Sequence, residues 1–394
     1  MKIERIFIGG WFQRTMLHLT EIYDFLREGT SRLDLNKKKL LELRNNLNIK
    51  NIEYDIDGFE YILITTNDEI EIKILEDGLI ILNKPSKDKD ILHEDIEILK
   101  NYYETKLSPA FSYIFSLGAP VPKELANITT VYPYFIVLNS AKRQELDEIL
   151  NSFDKQKYFE FTSDNYDVLR GDKYYFINLK KRTLNQAARY IEEQIFIREF
   201  KGQLHRYLNL HRIIWEKIAD VKEKAKVKGK DILAFTTKIE GYAKTINLVD
   251  SRINQMNTYL RTREKIAKSD DGLNEFNEVM EYRYETLGDT LSYIQQLWSM
   301  TKNYVNSANK LFSDLQQTVT KKSVQNLTIV TSMGVGASLI GLFTAKEIPS
   351  ITIFGIGYFF ALALIGWGVN KILNRMSKNR KYEVADIEYD KNIK

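Results

Sequence analysis

The chain has 394 residues, is 28% charged, carries a net charge of +4 and contains no cysteine. This length accommodates more than one domain, and the absence of cysteine excludes a disulfide framework, which suits a reducing compartment. The small positive balance gives no basis for bulk nucleic-acid binding, so no direct nucleic-acid partner is expected.

From the N-terminus, "MKIERIFIGGWFQR" has too short an apolar run to be a signal peptide. "FIGGWF" is too short for a phosphate loop and lacks the Lys/Ser that would follow. Residues 1–182 read as a mixed α/β, ligand-sensing cytosolic domain. Its strand-like runs are "KIERIFI", "FEYILITT", "EIEIKIL", "GLIILN", "VYPYFIVLN" and "KYYFINLK". Asp77-Gly78 marks a hairpin turn between the third and fourth of these. "ILHEDIEILKNYYETKL" and "SAKRQELDEILNSF" read as helices.

Two basic clusters in this domain are candidate ligand-binding residues. Lys142 and Arg143 follow a strand directly and fall in the first turn of a helix, with Asn139-Ser140 at its N-cap. A strand end, a helix N-terminus and two cations make an anion site; the alternative is a solvated surface pair. Lys180, Lys181 and Arg182 form the second cluster, with Arg170 on the preceding turn. Tyr174, Tyr175 and Phe176 offer a face for adenine, or are ordinary strand residues.

Residues 183–270 read as a cytosolic helical bundle of two long helices, joined by the basic, solvated run "KEKAKVKGK". His205 and His211 are six apart on a helix and point different ways, so no metal pair is expected. No Ser/His/Asp set is visible, and an enzyme is not expected.

A stalk helix is expected over 271–322, with Ser269, Asp270 and Asp271 as capping candidates. Steps of four and three from Leu273 give Asn277, Met280, Tyr284, Leu287, Leu291, Ile294, Trp298, Thr301, Val305, Ala308, Phe312, Leu315 and Val319. All but Asn277 and Thr301 are apolar or aromatic, which makes a sustained heptad seam. Such a seam packs either on the chain's own preceding helices or on identical neighbours around an axis, and the second is the expectation here. The same register continues through Asn326, Ile329, Met333, Gly336, Ile340 and Phe343, which become candidate pore-lining residues.

Ser323 to Ala345 and Ile348 to Asn370 contain no charged residue, and only Lys346-Glu347 separate them. About 20 apolar residues cross a ~30 Å hydrocarbon core. A first span over 323–345, an external turn over 346–350, a second span over 351–370 and a cytosolic basic tail over 371–394 follow; a buried soluble hairpin is the alternative. Lys321 and Lys322 before the spans, with Lys371, Arg375, Lys378, Arg380 and Lys381 after them, place both flanks on the cytoplasmic side. The expected localisation is the inner membrane, multi-pass, with both termini cytoplasmic and the bilayer as partner.

A long helix leading into two closely spaced C-terminal spans, opened by Asn326-Leu327-Thr328-Ile329, resembles the CorA family of magnesium channels. The resemblance implies an α+β cytosolic domain, a long stalk and two transmembrane helices, assembled as a homopentamer whose first span lines the pore. The family signature is Gly-Met-Asn at the outer end of that span, where this chain has Gly341-Leu342-Phe343. Hydrated divalent ions need oxygen ligands at the entrance, so this departure sets the chain apart from a magnesium-selective pore. Mg2+ stays a candidate permeant or regulatory ion, and no cofactor is otherwise expected. Family members lacking the signature include effectors of type III CRISPR antiviral defence. That likeness implies gating by a small nucleotide second messenger, the conjugate of S-adenosylmethionine with AMP. The alternatives are a constitutive divalent-cation transporter and a pore-less receptor-like scaffold.

Overall fold

The computed structural model describes residues 2–11, 18–115, 132–154, 156–222, 226–344 and 353–383. It divides into two units: Met1–Asn209 with Leu248–Leu297, and Leu210–Asn247 with Trp298–Lys394.

The first unit is built on a nine-stranded sheet. Its strands are β1 (Lys2–Trp11), β2 (Ile49–Asp55), β3 (Tyr61–Thr66), β4 (Glu71–Leu75), β5 (Leu79–Pro85), β6 (Tyr134–Asn139), β7 (Phe159–Thr162), β8 (Tyr166–Arg170) and β9 (Tyr174–Leu179). They lie in the order β2-β3-β4-β5-β1-β6-β9-β8-β7. Neighbours are antiparallel, except that β6 runs parallel to β9. All six strand-like runs of the sequence fall on strands. The expected turn joins β4 to β5, where Gly78 takes a φ of 90°, open to glycine at little cost.

Five helices cover one face: α1 (Leu19–Glu28), α2 (Lys37–Asn46), α3 (Leu92–Tyr102), α4 (Ser108–Ile114) and α5 (Arg143–Phe153). Their apolar stripes, such as Leu19, Ile22, Phe25 and Leu26 of α1, join Ile6, Ile8, Ile64, Ile72 and Ile136 of the sheet in one core. Each such side chain contributes about 1.5–3 kcal/mol on burial. The start of α5 differs from expectation. The backbone turns at Ser140 with φ 52°, Lys142 is the N-cap, and Arg143 is the first helical residue. Glu145 fixes this start by accepting the Lys142 N–H at 2.7 Å.

Long helices take the other face of the sheet: α6 (Leu184–Lys222), α7 (Gly229–Ser269) and α8 (Asn277–Thr344). Trp11 of β1 lies 5.6 Å from Phe196, 5.5 Å from Phe200 and 5.9 Å from Tyr259, ring centre to ring centre. Gly9 lets α6 approach, since a Cβ there would stand 2.5 Å from the Ile80 carbonyl and 3.0 Å from Ile195 Cδ1. The first unit is thus three layers: helices, sheet, helices.

The heptad seam corrects the sequence expectation. From Met280 to Phe312 it is buried inside one chain rather than presented to identical neighbours, while Leu315 and Val319 beyond are half-buried. In the first unit, Leu273 is buried, Met280 Sδ accepts from Gln194 Nε2 at 3.6 Å, and the Tyr284 hydroxyl donates to Glu193. In the second unit, Trp298 is fully buried against His211, Thr301 Oγ1 lies 2.7 Å from His211 Nε2, and Phe312 packs on Phe235. A 3.5-residue repeat is satisfied equally by antiparallel helices of the same chain, and α6 and α7 supply them.

In the second unit α9 (Ile353–Asn379) follows α8. Two short strands, β10 (Lys226–Lys228) and β11 (Lys381–Glu383), pair antiparallel and bury Val227 and Tyr382. The basic run 222–230 is therefore not only a solvated turn, nor is the segment after 371 simply a tail. Val227 and Tyr382 are the buried apolar side chains of this strand pair. Among the described residues no helix is long and apolar enough to cross a membrane. The expected external turn 346–350 lies outside the described residues, as do parts of both expected spans. The neighbouring described side chains Val324, Leu327 and Ile329 of α8, and Phe360, Leu364, Ile365, Trp367 and Ile372 of α9, stand exposed.

Candidate functional site

Half of the cations singled out from the sequence, Arg143, Lys180 and Arg182, already meet carboxylates. Arg143 binds Asp147 (Nε–Oδ2 3.3 Å) and also Glu160. The Lys142 side chain is exposed at the N-cap. Lys180 Nζ lies 2.7 Å from Asp167 Oδ1 and donates to the Ser163 carbonyl at 2.9 Å. Arg182 Nη2 is 3.7 Å from Glu275, which also accepts from Ser163 and Asn165. Lys181 is exposed. Beneath Arg182, burial pushes the Tyr166 hydroxyl up to about 12, and Arg182 pulls against it. The structure thus does not gather the two basic clusters into one site.

A cleft on the helical face of the sheet is charge-complete in the same way. Arg5 of β1 binds Glu71 at 3.0 Å, Lys73 binds Glu192 at 2.7 Å, and Arg189 reaches Glu192 at 3.5 Å.

Arg170 is different. Asp154 Oδ2 accepts the N–H groups of Lys173 and Tyr174 at 3.0 and 3.1 Å and fixes the β8–β9 turn. Gly171 is required there, because a Cβ would fall 2.1 Å from Asp154 Oδ2. The turn sets Arg170 opposite Tyr175 in the ladder. Its guanidinium carbon stands 5.2 Å from the Tyr175 ring centre, and its Nε is buried without a hydrogen-bond partner. Arg198 of α6 and Arg283 of α8 bear on the same tyrosine electrostatically. Burial raises the Tyr175 pKa, and Arg170, Arg283 and Arg198 all pull against that rise. Burial lowers the Arg198 pKa; Glu199 opposes this, while Arg170 adds to it. Arg283 donates to Gln194 Oε1. Among the described residues no carboxylate forms an ion pair with any of the three arginines.

The sequence reading found Arg170 and missed Arg198 and Arg283. One signal was present: neither has an Asp or Glu three or four residues away on its helix, whereas Arg189 has Glu192 and Glu193.

The candidate pore-lining residues all lie on α8. Asn326 and Gly336 are half-buried and Ile329 is exposed, while the side chains of Met333, Ile340 and Phe343 lie outside the described residues. Among the described residues no group of three or more His, Cys, Asp or Glu side chains could hold a metal ion.

No family model matches the chain, and no curated protein matches it. Among solved structures it is similar to the complete structure of the CorA magnesium transporter from Methanocaldococcus jannaschii. The TM-score is 0.30, with 8% identity over 64% of this chain and 91% of that one. Overlap of that degree carries no weight for fold or function.

Proposed function

We propose that the chain is a membrane-anchored, channel-like effector of type III CRISPR antiviral defence, gated by a nucleotide second messenger, the S-adenosylmethionine–AMP conjugate. The observation that carries the membrane part is the charge-free sequence from Ser323 to Ala345 and from Ile348 to Asn370, with cations on both flanks. Exposed apolar side chains on α8 and α9 support it, because patches of this kind need a cover of lipid or protein. So does the groove at the base of the two helices, where Lys322, Arg375 and Arg380 stand beside Ile372 and Met376. That mixture suits the level of lipid headgroups. Pairing of β10 with β11 keeps the α6–α7 turn and the segment after α9 together, in keeping with cytoplasmic placement of both.

The CRISPR branch and its ligand rest on the resemblance at Asn326-Leu327-Thr328-Ile329 and on Leu342-Phe343 in place of the Met-Asn of the magnesium-channel signature. Self-association belongs to the same reading, through surfaces other than the buried seam. So does an anionic ligand on the α+β unit, with Lys142, Arg143, Arg170, Lys180, Lys181 and Arg182 as its sequence-derived candidates.

Reconstitution in liposomes tests the proposal. Ion flux should rise or fall when the S-adenosylmethionine–AMP conjugate is added and stay unchanged with plain ATP. Constitutive flux selective for magnesium over sodium, indifferent to either nucleotide, would instead establish the transporter reading. The substitutions Leu342→Met and Phe343→Asn, made together, should shift flux toward magnesium.

A further inference from the structure

The geometry points to a seat for the headgroup of an anionic phospholipid in the groove that α8 and the end of α9 form in the second unit. The groove has a volume of about 900 Å3. That falls within the about 300–1,000 Å3 of ordinary ligand sites and is far more than one inorganic phosphate fills. Lys322 of α8, Arg375 of α9 and Arg380 just beyond α9 supply its charge, and Ile372, Leu373 and Met376 its apolar wall. Among the described residues no carboxylate lines it. The cleft beside β1 shows the contrast, for there Arg5 and Lys73 are answered by Glu71 and Glu192.

The β10–β11 pair holds and extends this charge. Lys322 Nζ stands 5.3 Å from the ring centre of the buried Tyr382, so the strand pair positions a cation of the groove. Lys226 faces Glu383 across the pair, but Lys228 faces Lys381. Like charges directly opposite in a ladder cost stability. Lys228, Lys381, Arg375 and Arg380 are all exposed. The cations therefore spread from the groove onto the strand pair, over more surface than a single small anion touches. An anionic lipid surface covers that spread. The apolar wall points the same way. Ile372 and Met376 stand exposed and continue the exposed run of Leu364, Ile365 and Trp367 along α9, which gives acyl chains a surface to cover. Lys371 Nζ lies 4.6 Å from the Trp367 ring centre, the pairing of aromatic and cation that suits the edge of a bilayer. The inference rests on the membrane part of the proposed function and adds the charge of the lipid and the place where its headgroup sits.

The test uses the full chain in neutral detergent, given phosphatidylglycerol or phosphatidylcholine in mixed micelles. Native mass spectrometry reads retained lipid, and the melting temperature reads stability. Phosphatidylglycerol should stay bound and raise the melting temperature, and phosphatidylcholine should do neither. Glycerophosphoglycerol, the same headgroup without acyl chains, and inorganic phosphate should leave the melting temperature unchanged. Lys322→Gln, Arg375→Gln and Arg380→Gln should each weaken retention about fivefold. Arg375→Lys should keep most of it, and Lys39→Gln, on the exposed surface of α2, should change nothing. Equal retention of the two lipids by the native chain overturns the proposal, and that comparison needs no variant. An undiminished preference for phosphatidylglycerol in the triple glutamine variant overturns it too. So does binding of the acyl-free headgroup as tightly as the lipid, which would mark a pocket for a soluble anion. Flotation with phosphatidylcholine vesicles after an alkaline wash separates the two readings. A chain that floats but prefers neither lipid keeps the membrane reading and loses the headgroup seat. A chain that floats with no vesicle yet retains phosphatidylglycerol in detergent does the reverse.

Discussion

Arg263 and Asp77, 186 positions apart, meet in a two-point ion pair, Nη2 to Oδ1 at 3.0 Å and Nε to Oδ2 at 2.5 Å, both almost wholly buried. Glu193 takes a third donor at 3.2 Å, and the rings of Phe59 and Phe196 flank the guanidinium at 5.1 and 5.3 Å. Burial opposes the Arg263 charge, but Asp77 and Glu193 more than offset this and hold its pKa well above the usual range. The pair fastens the β4–β5 hairpin to α7. Asp77→Ala, which strands a buried cation, should cost about 3–5 kcal/mol in urea unfolding. Asp77→Leu with Glu193→Leu and Arg263→Met should cost less than the single change. A single-variant loss below about 1 kcal/mol would show the pair to be incidental.

Glu199 supplies a pH dependence. Burial pushes its carboxyl up from 4.5 to about 7, against the pull of Arg198 and Arg206. Between those values the folded state holds a proton that the unfolded state has lost. Stability therefore falls as pH rises through that window, and the full penalty is present above about 7. Glu199→Gln should leave the melting temperature unchanged near pH 4 and raise it at pH 8, by about 1–3 kcal/mol in stability. An equal shift at both pH values would contradict the assignment.

The buried seam gives a third expectation. Leu291→Asp or Ile294→Asp places a charge among α8 contacts that are closed within one chain. Loss of helical signal and of cooperative unfolding should follow, at a cost of several kcal/mol. A folded chain with only its particle mass reduced would return the seam to an intersubunit role.

Self-association, where it occurs, should use the opposite face of α8, where Tyr282 and Tyr293 are 68% and 55% exposed. Tyr282→Glu with Tyr293→Glu should lower the mass of the detergent-solubilised particle without lowering the melting temperature. An unchanged mass would exclude this face.

Much of the first unit was legible because its signals are local. The alternation in "FEYILITT" and "EIEIKIL" fixed β3 and β4, and Asp77-Gly78 fixed the turn after them. The strands missed include the two sheet edges, β2 and β7, where one buried face suffices, and β8, a five-residue run that carries Asp167 and Arg170. The N-cap of α5 is Lys142, two residues beyond Ser140, because Glu145 closes the cap there.

By itself the sequence determined the α+β character of the first unit, the long helices, the heptad period and the charge-free stretch near the C-terminus. Each of these is a property of neighbours along the chain, set by side-chain alternation, helical repeat or composition. Only the tertiary structure decided what those patterns face. A seam of one period fits any partner helix, and folding back of α6 and α7 made that partner the chain itself. Charge state was likewise undecided, because the carboxylates that neutralise Arg143, Lys180 and Arg182 come from positions as distant as Glu275.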